Sequence, residues 1–137
     1  MRDNKSGYLE MEHTADWALK VWAPDLAGLV EQAARGMGVL SGMVLEDSDQ
    51  VERSISIHGN DSEQLMVNFL TEILYLGEDE GLGFDGFDIK IEDLHLSGII
   101  KGANIASQEK EIKAVTYHAL EIKISSQGLE TMIVFDV

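Results

Sequence analysis

Apolar positions recur along the chain at two periods, and they sort it into elements. Tyr8 to His13 alternates loosely, and Trp17 to Trp22 follows after a short break. The two stretches predict two strands, or one bent strand, joined at His13-Thr14-Ala15-Asp16, with Trp17, Leu19 and Val21 on one face. Pro24-Asp25 then opens a helix, because proline suits the first turn and aspartate complements its dipole. Leu26, Leu29, Val30, Ala33, Ala34, Met37 and Leu40 fall at helical spacings, and Gly42 marks the exit. Val51 to His58 alternates as a strand with a wet face. Asn60-Asp61-Ser62-Glu63 has the form of a capping box, leading into the apolar stripe Leu65, Met66, Phe69, Leu70, Ile73, Leu74 and Leu76 of a helix that should end near Gly77.

The second half of the chain reads as strands. Phe84, Phe87, Ile89 and Ile91, then Leu94, Leu96, Ile99, Ile100 and Ile105, predict two strands with a turn near Glu92-Asp93, and Gly98 and Gly102 suggest bulges or bends. From His118 the alternation predicts a strand in which His118, Leu120, Ile122 and Ile124 face inward. Ser125-Ser126-Gln127-Gly128 turns it back as a hairpin into Thr131 to Val137. That last strand is apolar at both parities, as a doubly covered central strand should be. The expectation is an α+β domain over residues 1–137, two helices packed on mostly antiparallel sheet as a sandwich, with residues 1–7 a flexible polar leader.

Composition narrows the function classes. The chain has 137 residues, no cysteine and a formal charge of −15. Disulfides, thiolate metal sites and thiol nucleophiles are excluded together. No apolar run approaches the roughly 20 residues of a spanning helix, and the first residues lack a secretory core, so a cytoplasmic protein with no membrane role is expected. The negative charge repels polyanions, which argues against strong direct nucleic-acid binding and favours cations or a basic protein partner.

The candidate chemistry lies at the end of the chain. Asp136 and the terminal carboxylate of Val137 are adjacent negative groups on an apolar strand, and a divalent cation would neutralise them. Asp16, at the rim of its strand, is the candidate partner carboxylate. All three supply oxygen, which fits calcium, magnesium or manganese better than zinc. His13 and His118 are the histidines expected to lie near one another, His118 either as a hydrogen-bonded core residue or as an acid or base. Glu72, one helical turn from Asn68, is a further polar candidate or a surface hydrogen-bond partner. The run Leu45-Glu46-Asp47-Ser48-Asp49 lacks the spacing of a calcium loop, Glu78 to Gly83 lacks the lysine and hydroxyl of a phosphate loop, and no G-x-S-x-G turn is present. A free-standing metal-dependent hydrolase of a small phosphorylated substrate stays open on these residues, as does a chaperone-like modulator.

Taken together, His13-Thr14-Ala15-Asp16, Phe69 to Leu76, Lys113-Ala114-Val115-Thr116-Tyr117-His118 and Val134-Phe135-Asp136-Val137 resemble the archease family over about Tyr8 to Val137. The resemblance implies an α+β fold and a divalent-cation site made by Asp16, Asp136 and Val137, with calcium the favoured ion. It also implies a role outside catalysis: helping an RtcB-type tRNA-splicing ligase become guanylylated and turn over repeatedly. The sequence departs from the family pattern at Phe69, where tryptophan is expected, at Thr71, where asparagine is usual, and at Ala103, where an acidic residue commonly follows the glycine. A histidine between Ser107 and Lys113 is also missing.

Overall fold

Two antiparallel sheets and two helices share one core in the computed structural model, which describes residues 5–11 and 17–137. The first sheet holds β1 (Gly7–Met11), β2 (Trp17–Ala23), β9 (Gly128–Asp136) and β7 (Ala114–Val115) in that order, with β8 (Lys123–Ser125) also paired to β9. In the second, β6 (His95–Ser107) is central and pairs with β3 (Val44–Leu45), β4 (Val51–His58) and β5 (Leu82–Glu92). Helix α1 (Leu26–Leu40) packs on β1, β2 and β9 and also reaches β5; α2 (Ser62–Glu80) packs on β4, β5 and β6 and also reaches β7. The helices therefore join the sheets. Their contacts gather Leu19, Val21, Phe69, Leu96, Ile100 and Phe135, all fully buried, into one cluster. This is the α+β architecture the apolar periods predict.

Local chemistry explains most boundaries. Asp25 caps α1 by accepting the Gly28 N–H at 2.8 Å, and Gly42 leaves the helix at φ +68°. The cap of α2 is shifted one residue from expectation: Asp61, not Asn60, accepts the Gln64 N–H at 2.7 Å, and Gln64 reaches back to the Asn60 N–H at 2.7 Å. Glu63 is thereby released for a tertiary bond to the Ile122 N–H. The helix also runs past Gly77 to Glu80, because Gly81 at φ +70° supplies the left-handed terminus and donates to the Gly77 and Leu76 carbonyls. Glu80 then pairs with Arg53 at 2.7 Å, and this hydrogen bond raises the arginine's pKa further above its ordinary value.

The β5–β6 hairpin turns through Asp93 and Leu94, both at positive φ, as a tight primed turn requires. Gly102 lies at a bulge, because the register shifts between the pairs Phe84↔Gly102 and Gly86↔Lys101, whereas Gly98 sits in an unbroken register. A Cβ at either would overlap the β5 backbone at Gly83 or Asp88, so both also serve close strand approach.

The predicted strand from Ala114 to Ile124 is interrupted. Side chains take the backbone groups a ladder would use: Thr116 Oγ1 donates to the Val134 carbonyl at 2.9 Å, Glu63 accepts from Ile122, and Thr131 Oγ1 donates to the Glu121 carbonyl at 2.9 Å. Ala119 adopts φ +60°, and Ile124, expected inside, is 89% exposed. The hairpin itself is present, with Ile124 opposite Leu129. Replacing Phe135 with alanine is expected to cost about 3–5 kcal/mol, the loss typical of a fully buried aromatic, measured by denaturant unfolding.

Candidate metal centre

The strand that ends in the candidate carboxylate is held along both edges. Leu129 to Phe135 of β9 pair with Ala23 to Trp17 of β2 without a register break, and Ala114 and Val115 of β7 pair with Asp136 and Phe135. The Asp136 carbonyl accepts the Lys113 N–H at 2.7 Å. Alternation then assigns faces. Ile133 and Phe135 enter the helix-facing core, whereas Val134 and its partner Ala18 are buried outside that cluster. Asp136 shares the parity of Val134, so its carboxylate leaves the sheet on the face away from the helices. There it is exposed, while Val137 is half-buried against the core edge.

Asp16 and His13 lie outside the described residues. The described chain resumes at Trp17, directly opposite Phe135. Among the described residues no group of three or more His, Cys, Asp or Glu side chains is arranged to hold a metal. Asp136 and Val137 contribute oxygen alone, the donor set of a hard cation. On the helix-facing side Lys110 Nζ sits 4.2 Å from the centroid of the Trp17 ring. The N–H groups of Glu109 and Lys110 both donate to the Ser41 carbonyl at 3.0 Å. The loop before β7 is thus fastened to the end of α1 and to the first residue of β2.

His118 does not lie on an inward strand face. It occupies an exposed turn beyond β7, where its N–H donates to Thr116 Oγ1 at 3.2 Å. Thr116 anchors that turn by donating both its N–H and its hydroxyl to Val134. Glu72 is half-buried in a separate shallow groove between α2 and β4, lined also by Ser56, His58, Asn68 and Tyr75. Asn68 bonds the His58 carbonyl at 2.8 Å. Among the described residues, His58 and His95 stack at 4.1 Å, with Ser56 Oγ 2.7 Å from His95 Nε2. Pairing β4 with β6 in register puts them opposite each other, a signal available only once that pairing is known. Phe69 is core, edge-on to Phe87, Thr71 is exposed, and Ala103 is buried opposite Gly83.

These features define a small acidic α+β domain organised on a clamped strand that ends in an exposed carboxylate. The sequence matches the Archease protein family over residues 8–137, and the chain belongs to that family. It is 32% identical to the protein archease of Pyrococcus furiosus over 85% of this chain and 88% of that one. It is 29% identical to the archease of Methanothermobacter thermautotrophicus over 96% and 99%. Among solved structures, an archease of Thermotoga maritima, described as a possible chaperone, superposes with a TM-score of 0.70 at 28% identity over 100% of this chain and 98% of that one. Protein 1598 of Methanobacterium thermoautotrophicum shares the fold with a TM-score of 0.70 at 23% identity, over 96% and 99%. No helix among the described residues is long and apolar enough to cross a membrane.

Replacing Lys110 with alanine should lower stability by about 0.5–1 kcal/mol and change Trp17 emission, whereas arginine, which keeps the cation over the ring, should preserve both. Fluorescence-detected unfolding in a Trp22→Phe background isolates the Trp17 signal.

Proposed function

We propose that this protein binds a divalent cation through the carboxylates of Asp16 and Asp136 and an oxygen of Val137. It would present that ion to an RtcB-type tRNA ligase, helping the ligase become guanylylated and turn over repeatedly. The observation that carries the reading is the exposed Asp136 carboxylate at the end of a strand held on both edges, within a chain of the Archease family. A donor placed this way is rigid in its backbone and open to a partner.

The donor count points the same way. Calcium takes about 6–8 oxygens, more than two carboxylates and one further residue supply, so its shell would be completed by water or by groups of the partner. When bound, the ion contributes concentrated positive charge that a partner's phosphate or carboxylate oxygens can share. Calcium is the favoured ion, because its flexible coordination suits a donor set that a partner or water must complete; magnesium and manganese are the other candidates. The reading assigns the protein no catalytic residue of its own. His13, His118 and Glu72 are candidates for contact with the ion's outer shell or the partner.

Calcium near a hundred times its dissociation constant should add about 2.7 kcal/mol to wild-type stability. Asp136→Asn is expected to lose that increment and the stimulation of ligase turnover, while its metal-free stability stays within about 0.5 kcal/mol of wild type, as for other exposed substitutions. Thermal unfolding with and without calcium, alongside a multiple-turnover ligation assay, checks both. Stimulation by Asp136→Asn equal to wild type would overturn the reading.

A further inference from the structure

Between the C-terminal halves of α1 and α2 and the segment leading to β7 lies an open cleft of ≈ 460 Å³, within the range of about 300–1,000 Å³ typical of ligand sites. Its wall is apolar, formed by Met37, Ile73, Leu74, Phe84 and Ile112, with Met43 lying across it. Met43 occupies space that a side chain at position 83 would need, so Gly83 keeps this thioether in place. Methionines give such a wall adaptable shape. The charged lining residues are Glu78, Glu111 and Lys113, all exposed.

We propose that this cleft is a docking site for a protein segment that inserts an apolar side chain flanked by lysine or arginine. The apolar wall takes the anchor, and Glu78 and Glu111 take the flanking cations. An anionic ligand or a nucleic acid would meet two carboxylates against one lysine on the lining, and a chain of net charge −15. The cleft is also continuous with the candidate metal strand: Lys113 lines it, and the Lys113 N–H is bonded to the Asp136 carbonyl. A segment seated there reaches the β7–β9 edge that carries Asp136. Naming the ligase as the source of the segment rests on the proposed function; the chemistry of the cleft does not.

Gly77 provides a blocking position. A Cβ there meets only the Leu82 carbonyl oxygen at 3.5 Å and Ile105 Cδ1 at 3.9 Å, ordinary contacts, so Gly77→Leu should fold and project into the cleft. The probe is a synthetic lysine–leucine peptide, titrated into protein labelled at the methionine methyls, with oligolysine as the charge-only control. Met37 and Met43 should shift saturably with the lysine–leucine peptide but not with oligolysine, while Met66 and Met132 stay unchanged. Gly77→Leu and the double variant Glu78→Lys/Glu111→Lys should each weaken binding by about tenfold or more, the effect of losing one strong anchor. Equal shifts with oligolysine, or undiminished binding in both variants, would overturn the proposal. With the ligase itself, Gly77→Leu should bind about tenfold more weakly than wild type. Equal ligase affinity for Gly77→Leu and wild type overturns the ligase as the source of the segment, and the methyl shifts decide the docking site. Failure of the wild-type protein to stimulate the ligase instead overturns the proposed function, and the methyl shifts then still decide the cleft.

Discussion

The pairing of β9 with β2 is the constraint on which the rest depends. It joins opposite ends of the chain in an unbroken register from Trp17↔Phe135 to Ala23↔Leu129. Such non-local pairing closes a long loop, and the compensation comes from side chains it brings together. Ile133 and Phe135 meet Leu19 and Val21 beneath α1, while the far edge of β9 receives β7 and β8. A chain end ordinarily frays. This one is clamped on both edges, and so a carboxylate at its last strand position has a defined place.

Much of this was legible in the sequence because the signals were local. Asp25 and Gly42 bounded α1, the apolar stripe from Leu65 to Leu76 marked α2, and strict alternation marked β4. What escaped were choices made by tertiary partners. Glu63 reads as a capping-box residue until Ile122 claims it, and the strand expected around His118 is undone as Thr116, Glu63 and Thr131 side chains bond the His118 N–H, the Ile122 N–H and the Glu121 carbonyl. Gly98 and Gly102 read as bulges or bends; the register places a bulge opposite Gly102, and only the pairing shows that β5 approaches both too closely for a side chain. Of the candidate site, Asp136 is exposed at the end of its strand, whereas Asp16 and His13 fall outside the described residues. The stacked His58 and His95 pair and the methionine-walled cleft had no local signature at all, since each is assembled from elements distant in sequence.

The charge of the chain gives these surfaces a common sense. With 25 acidic against 10 basic residues, the net charge favours cations and opposes polyanions. The several surface ion pairs, such as Lys20–Glu130 and Lys101–Glu52 at 3.9 and 3.8 Å, are exposed and contribute little to stability. A protein of this charge that acts on RNA chemistry would do so through a cation or a basic protein, and both the carboxylate end of β9 and the acidic-lined cleft suit such company.

The same strand also guards its own register. Side chains alternate across a sheet, so a slip of one residue in β9 would carry Phe135 to the outer face and turn Asp136 toward the helices. The first change would remove a fully buried aromatic from the core it fills, and the second would turn a carboxylate toward that core. Both penalties act in the same direction. Adjacent residues of opposite character therefore hold one arrangement in which the aromatic secures the core and the carboxylate faces outward. Stability and the candidate function are set by one register, and the outward carboxylate costs the core nothing because its neighbour does the packing.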